Sequence, residues 1–238
     1  MAKIRLFVDH PLGAAQTVPA NRDQSHYLFA VMRMAVGEEV LLFNGVDGEW
    51  LAQITVGNKR NGVLTCVQQT KPLQMPPDLW LLFAPIKKAR TDFIVEKAAE
   101  MGAARICPVL TTYTNSDRLK QERLQAHALE AAEQCGGTFV PEVTELTKLS
   151  KMLDAWPEDR QLMFCDETLA GDTGELPDTH SPWAILIGPE GGFSDEERTR
   201  LRDMPNAHPV SLGPRILRAD TAAVAAMTLW QQKLGDWT

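Results

Sequence analysis

The sequence lacks the features that mark a metalloprotein, a disulfide-rich protein or a protein that spans a membrane. Its four cysteines form no C-x-x-C pair and its five histidines form no H-x-x-x-H motif, so a zinc site has no ligand set. The longest apolar run, 79–86, is far too short to cross a bilayer, and the first ten residues carry charge where a signal peptide is apolar. We therefore expect a cytoplasmic chain with reduced cysteines, no metal and no membrane partner.

An excess of basic charge is also missing. The chain has 24 Lys and Arg against 31 Asp and Glu, a formal net charge of -7, whereas nucleic-acid-binding proteins usually carry a basic face. Residues 1–72 hold seven basic and six acidic residues, and residues 73–238 hold seventeen and twenty-five. Only local basic clusters can therefore serve a polyanion. The candidates are Arg22, Arg33, Lys59, Arg60, Lys87, Lys88, Arg90 and Arg215, with Arg218 close to the last of them.

A proline-rich segment separates two parts with different patterns. Pro72, Pro76 and Pro77 exclude a helix, so residues 70–78 are predicted to be a linker between domains 1–72 and 73–238. Short aliphatic runs divided by Asn-Gly and Asp-Gly turns predict a small antiparallel β-barrel in the first part. The strands expected there are 4–8, 39–43, 49–56 and 62–68, with one helix at 23–34.

The second part alternates strands with helices, which predicts an α/β domain with a mostly parallel sheet. The expected strands are 79–85, 105–110, 161–165, 183–187 and 207–212, and the expected helices are 91–101, 118–134, 148–155, 195–203 and 221–234. A long polar loop is expected at 169–182. In the last helix, Ala222, Ala226 and Trp230 share one face, which we expect either in a subunit interface or against the chain's own sheet.

Two loops of the second part carry glycines and charged residues that are candidates for a ligand-binding site. The loop 188–193 (GPEGGF) follows a strand, and Ser194 with Glu197 predicts a capping box behind it. Its glycines let the backbone approach a ligand closely, but their spacing matches neither the dinucleotide fingerprint nor the P-loop. The loop 211–218 follows the next strand in sequence and brings two arginines to an edge where open α/β sheets bind ligands.

The polar residues of these loops also have ordinary structural explanations. Asp220 is equally suited to capping the last helix. Arg215 and Arg218 are suited to surface ion pairs, and Glu190 to a favourable position before a helix N-terminus. A small-nucleotide enzyme with a Rossmann-like sheet stays an alternative function at this point.

Both loops resemble the ligand-binding signature of the bacterial small-subunit ribosomal RNA uridine-N3 methyltransferases, members of the SPOUT superfamily. Residues 186–197 (LIGPEGGFSDEE) and 211–223 (SLGPRILRADTAA) carry the resemblance, and the segments 31–45, 93–103 and 131–143 extend it over nearly the whole chain. The resemblance implies a PUA-like β-barrel joined to a SPOUT α/β domain with a deep trefoil knot. It also implies a homodimer, S-adenosylmethionine as methyl donor, and 16S ribosomal RNA within the small subunit as partner.

The resemblance further implies a donor pocket built largely from backbone groups. Its members are Leu186, Ile187, Gly188, Gly191, Gly192, Leu212, Gly213, Ile216, Leu217 and Thr221. Methylation of the uridine N3 requires loss of a proton and stabilisation of charge on the ring carbonyls, for which Arg218 is the candidate stabiliser. Asp220 and Glu190 are candidate proton acceptors, and Arg215 is a candidate phosphate contact. The family commonly has Glu at the position of Asp220 and Arg at the position of Gly137.

Two alternatives accompany this resemblance. The first is ribose 2′-O methylation of RNA, which other members of the superfamily carry out. The second is a non-catalytic RNA-binding protein of ribosome assembly that keeps the fold. Glycine loops with Arg218 in place favour an enzyme over the second alternative.

Overall fold

The computed structural model describes residues 4–58, 60–116, 118–166, 176–177, 179 and 181–237. Most of the loop expected at 169–182 therefore lies outside the described residues. The chain forms two compact units. The first unit contains Met1–Met75 together with Ala132–Val140, and the second contains Pro76–Ala131 together with Pro141–Thr238.

The first unit is built on a five-stranded sheet whose strands run in the order β1-β3-β4-β5-β2. Its strands are β1 (Arg5–Phe7), β2 (Thr17–Ala20), β3 (Glu39–Phe43), β4 (Glu49–Val56) and β5 (Gly62–Lys71). β1 pairs with β3 in parallel and the other pairs are antiparallel. The core contains Val18, Val40, Leu42, Ile54 and Leu64, each at most 1% exposed. The expected small β-domain is confirmed, but the expectation of antiparallel pairs alone is wrong, because β1 pairs with β3 in parallel. β2 was missed because it is short and contains a proline, which only an edge strand tolerates.

The helix expected at 23–34 is shorter than predicted. α1 spans Arg22–His26, opens with a capping box between Asn21 and Gln24, and continues into a π-helical turn at Tyr27–Val31. Arg33 then adopts a left-handed φ of 57°, which ends the helical run.

The second unit is built on seven strands. They are β6 (Leu79–Phe83), β7 (Arg105–Leu110), β8 (Glu142–Val143), β9 (Thr147–Lys148), β10 (Gln161–Cys165), β11 (Trp183–Ile187) and β12 (Ala207–Val210). The order is β12-β10-β11-β6-β7-β8, with β9 also on β7, and every pair among the described residues is parallel. The predicted parallel sheet is thus confirmed. β8 and β9 were missed because two residues carry no readable periodicity.

Helices lie between several of these strands, and one follows the last of them. They are α2 (Lys88–Glu100), α3 (Gln121–Cys135), α4 (Leu149–Asp154), α5 (Asp195–Asp203) and α6 (Ala219–Leu234). On α6, Ala222, Ala226 and Trp230 are 8%, 0% and 3% exposed and belong to the core of their own chain. The structure therefore corrects the first expectation for this face of α6: it packs inside the unit and is not available to a second subunit.

Residues 132–140 join the first unit through Arg5. The Arg5 guanidinium donates hydrogen bonds to the carbonyl oxygens of Ala132, Glu133 and Gly137, at 2.7, 2.6 and 2.8 Å. It also binds the Glu49 carboxylate at 2.7 Å. Because the last carbonyls of a helix have no partner within the helix, Arg5 supplies donors where the end of α3 needs them.

Two further features of the described residues bear on the expectations. No helix in that part of the chain is both long enough and apolar enough to span a bilayer. Within the same residues, no three His, Cys, Asp or Glu side chains are grouped so that they could hold a metal ion. The trefoil knot stays a prediction, because strand order and register do not define how a chain is threaded.

Candidate active site

Three neighbouring strands of the second unit end at one edge of the sheet and form a pocket there. β10 lies between β12 and β11, so the loops 188–193 and 211–218 follow strands that are not neighbours in the sheet. The end of β10 supplies Cys165 and Asp166 to the gap between the loops. The remaining wall comes from α6, through Ala219 and Ala222.

The pocket collects most of the predicted donor-site residues. Ile187, Gly188, Gly192, Leu212, Gly213, Ile216 and Leu217 line it, as do Glu190 and Arg215. Leu186, Gly191 and Thr221 are not among the lining residues. Leu186 alternates to the opposite face of β11, where it is completely buried in a second core cluster. Thr221 is exposed on the first turn of α6.

The loop 188–193 is held in place by its last residue. Phe193 is completely buried and packs edge-on against Phe164, with ring centroids 6.5 Å apart. Gly188 lies against the same ring, since a Cβ there would come within 3.1 Å of it. Gly192 adopts a φ of 69° and donates its amide to the Pro189 carbonyl at 2.9 Å. The predicted capping box of Ser194 and Glu197 is present at the start of α5.

Gly191 stays a predicted donor-site residue, and the structure adds a second reason for glycine at this position. It is exposed, and a Cβ at this position would lie 3.3 Å from the Cβ of Tyr113. Tyr113 follows β7, and the neighbouring Thr112 amide donates to the Glu197 carboxylate at 2.8 Å. Gly191 therefore makes room for a side chain of the protein itself.

The loop 211–218 is less deeply buried, since Leu212 and Leu217 pack only partly buried against the core. Gly213 has a φ of 111°, which favours glycine, and a Cβ there would meet no described atom within 4 Å. Ile216 is 79% exposed. Arg215 and Arg218 are exposed, and their side chains make no hydrogen bond or ion pair with any described residue, so the surface ion pairs considered as an alternative are not found there.

Asp220 is not the N-cap residue of the last helix. α6 begins two residues earlier than predicted, with Arg218 at the N-cap position, where its side chain makes no capping hydrogen bond. The Asp220 side chain instead accepts the amide of Thr221 at 2.9 Å. Its other carboxylate oxygen lies 3.7 Å from Nε of Arg90.

The two carboxylates that line the pocket are both close to arginines. A terminal nitrogen of Arg90 lies 3.5 Å from Oε1 of Glu190. Asp166, which is 2% exposed, pairs with Arg202 at 2.7 Å and with Arg198 at 3.6 Å. Burying a carboxylate is costly without such partners.

Cys165 contributes a neutral thiol to the pocket. Burial raises its pKa to about 12, because a thiolate would be poorly solvated at this position. The thiol is therefore protonated at neutral pH and is not a nucleophile in this site.

The remaining predicted RNA-contact residues lie outside the pocket. Lys87 is the N-cap residue of α2 and Lys88 its first residue, and both are exposed. Arg22, Arg33 and Arg60 are exposed on the first unit, and Lys59 lies outside the described residues.

Sequence reasoning missed several residues that line the pocket. They are Cys165, Asp166, Pro189, Val210, Ser211, Ala219 and Ala222. Four of these residues, Cys165, Asp166, Val210 and Ser211, lie at the carboxyl ends of β10 and β12. Parallel strands present their carboxyl ends at one edge of the sheet, so these four could be predicted once the order β12-β10-β11 is known.

Comparison with known proteins adds two family matches and close structural likenesses. A family described as an RNA methyltransferase domain matches residues 73–231, and one described as an RNA methyltransferase PUA domain matches residues 20–65. A Synechocystis protein named ribosomal RNA small subunit methyltransferase E is 32% identical over 219 residues, which cover 89% of this chain and 71% of that protein.

Two solved structures match over their whole length. One is a Legionella pneumophila protein in complex with the bound cofactor SAM, 28% identical with a TM-score of 0.89, covering 99% of this chain and 100% of that one. The other is a ribosomal RNA small subunit methyltransferase E from Neisseria gonorrhoeae bound to S-adenosyl methionine, 26% identical with a TM-score of 0.90, covering 100% of both chains. These likenesses confirm the predicted fold class, a PUA-like sheet followed by a parallel-sheet α/β domain.

Proposed function

This chain belongs to the RNA methyltransferase family, and we propose that it transfers a methyl group from S-adenosylmethionine to N3 of one uridine in 16S ribosomal RNA. The observation that carries this proposal is the pocket between the loops 188–193 and 211–218. It lies within the segment that matches the family, in a chain whose full-length structural relatives were solved with this cofactor.

The pocket residues fit the methyl donor. Ile187, Val210, Leu212 and Leu217 offer an apolar wall for the flat adenine ring. A Cβ at Gly213 would point into open space, so this glycine leaves backbone accessible to a ligand. The carboxylates of Asp166 and Glu190 place negative charge beside a cationic ligand. When bound, the donor supplies an electrophilic methyl group on a sulfonium.

We assign the catalytic roles to Glu190, which lines the pocket, and to Arg218 and Asp220, which flank the lining residue Ala219. Arg218 is exposed, and among the described residues its guanidinium has no partner, so its charge is available to the uracil carbonyls as the ring becomes anionic. Asp220 and Glu190 are the carboxylates we propose as acceptors of the N3 proton. The rest of the catalytic effect is alignment of the reacting atoms.

The RNA is proposed to meet three sets of cations. Arg215 lies beside Arg218 on the loop 211–218, and Lys87 and Lys88 are exposed at the start of α2. Residues 1–72 are the proposed RNA-binding domain, with Arg22, Arg33, Lys59 and Arg60, and residues 73–238 the proposed catalytic domain. Phosphate contacts of this kind position an RNA without reading its sequence. We also propose that the protein works in the cytoplasm as a homodimer, on RNA within the small subunit.

Nucleoside mass spectrometry tests the reaction. Small subunits from cells that lack this protein are incubated with the purified protein and S-adenosylmethionine, and their RNA is digested to nucleosides. We expect 3-methyluridine with the wild-type protein and at least a hundredfold less with Arg218→Ala. A 2′-O-methylated nucleoside would overturn the assignment to N3. No modified nucleoside, together with no S-adenosylmethionine binding in calorimetry, would overturn the enzyme assignment and favour a non-catalytic RNA-binding protein.

A further inference from the structure

Arg90 lies between the two carboxylates that are proposed as acceptors of the N3 proton. One terminal nitrogen of its guanidinium is 3.5 Å from Oε1 of Glu190, and its Nε is 3.7 Å from Oδ2 of Asp220. Glu190 belongs to the loop 188–193 and Asp220 to the first turn of α6. One side chain from α2 therefore lies within 4 Å of a carboxylate on each of these two elements.

The burial of Arg90 separates it from its basic neighbours on the chain. Lys87 and Lys88 are exposed, and neither makes an ion pair with a described residue. The Arg90 side chain is only 30% exposed, and its nitrogens are directed at carboxylates. A cation already engaged by two carboxylates has less charge to offer an RNA phosphate than a free one.

We propose that Arg90 is a positioning residue for the methyl-donor site, not an RNA contact. It ties Glu190 to Asp220, and so holds the loop 188–193 and the start of α6 at the separation that the donor requires. This inference rests on the proposed function, because it assumes that the pocket between these elements binds S-adenosylmethionine.

Arginine is suited to this role in a way that lysine is not. Its planar guanidinium presents nitrogens in different directions, so one side chain can serve two carboxylates on different elements. A lysine ammonium at the same place keeps the positive charge but is a compact point at the end of a flexible chain. Arg90→Lys therefore keeps the positive charge and removes the planar guanidinium, so it tests the geometry of the contact separately from its charge.

Calorimetry of S-adenosylmethionine binding, with no RNA present, is the first test. We expect Arg90→Gln to weaken binding about tenfold, because partly exposed ion pairs are individually weak and two of them are lost. Arg90→Lys should lose nearly as much. The matched control is Lys97→Ala on the same helix, which removes a cation paired with Glu100 of α2 and should leave donor affinity unchanged.

A titration with small-subunit RNA at several salt concentrations is the second test. If Arg90 is a positioning residue, Arg90→Lys has the wild-type salt dependence and impaired donor binding. If Arg90 instead contacts phosphate, Arg90→Gln flattens the salt dependence, Arg90→Lys restores it, and donor affinity is normal in both. That second pattern overturns the proposal.

A double-mutant cycle shows whether Arg90 acts through the two carboxylates. In a Glu190→Gln, Asp220→Asn background, we expect Arg90→Gln to change donor affinity less than twofold, because its partners are already neutral. A full tenfold loss in that background would overturn the proposal. Failure of the proposed function is distinguishable, because wild-type protein would then not bind S-adenosylmethionine at all.

Discussion

The two loops that frame the pocket differ in how deeply they bury their large apolar side chains. In the loop 188–193, Phe193 is completely buried and packs on Phe164. In the loop 211–218, Ile216 is 79% exposed. The first loop thus buries its aromatic side chain completely, whereas the second packs Leu212 and Leu217 only partly buried against the core and exposes Ile216.

Their charged groups differ in the same way. Glu190 of the first loop lies against Arg90, whereas Arg215 and Arg218 of the second have no partner among the described residues. A packed, paired loop maintains shape, and an exposed loop with available cations meets a substrate. The comparison indicates that the first loop is held by packing and pairing, whereas the second presents cations without a partner among the described residues.

The largest expected effect concerns the anchoring of the first loop. Phe193→Ala should lower the free energy of unfolding by about 3–5 kcal/mol, because it removes a fully buried aromatic ring and leaves a cavity. Ile216→Ala should change it by less than about 0.5 kcal/mol, since that side chain is exposed. Urea denaturation of both variants measures the contrast. Equal losses would show that the two loops are anchored alike.

The next effect concerns chemistry in the second loop. Arg218→Ala should lower the single-turnover methylation rate by about two to three orders of magnitude, as loss of one preorganised charge stabiliser does. Donor affinity should barely change. A rate that recovers at saturating RNA would instead make Arg218 a phosphate contact.

A smaller effect distinguishes two neighbouring glycines. Gly192→Val should abolish measurable donor binding, because Gly192 lines the pocket and its φ of 69° disfavours a branched side chain. Gly191→Ala should weaken binding by less than about threefold, since its Cβ meets Tyr113 and not the pocket. Calorimetry measures both. Loss of donor binding in Gly191→Ala would show that Gly191 is part of the donor site.

The smallest expected effect is the pH dependence of the alkylation of Cys165, which lies in the pocket between the two loops. Because the pKa of Cys165 is raised to about 12, its thiolate fraction grows about tenfold per pH unit from 7 to 10, and its alkylation should accelerate in proportion. S-adenosylmethionine should slow this reaction, while the exposed Cys135 should stay unprotected. Peptide mass spectrometry reports both sites. Equal protection of the two cysteines would show that the donor does not cover Cys165.

Much of the fold could be predicted because its signals are local. The strands 39–43, 49–56, 105–110, 161–165 and 183–187 have the predicted bounds, since aliphatic runs end at clear turns. The glycines of the loop 188–193 were likewise visible in sequence. Both kinds of signal depend only on neighbouring residues.

What could not be predicted depends on strand order. Asp166 reaches the pocket because β10 lies between β12 and β11. Arg90 meets Glu190 across 100 positions of sequence, and no periodicity reports such a contact. The burial of Trp230 in the core of its own chain could not be predicted either, because an apolar helix face can be covered by the same chain or by a second subunit.

The contacts of Arg5 cannot all form when the N-terminal residues are first synthesised. The first unit needs residues 132–140, yet residues 76–131 of the second unit leave the ribosome before them. Until then, Arg5 has Glu49 but none of the three carbonyl acceptors contributed by Ala132, Glu133 and Gly137. A nascent chain that stops at residue 75 therefore carries an unfinished domain. The N-terminal unit begins translation first, but it is complete only after residues 76–131 of the second unit have been synthesised.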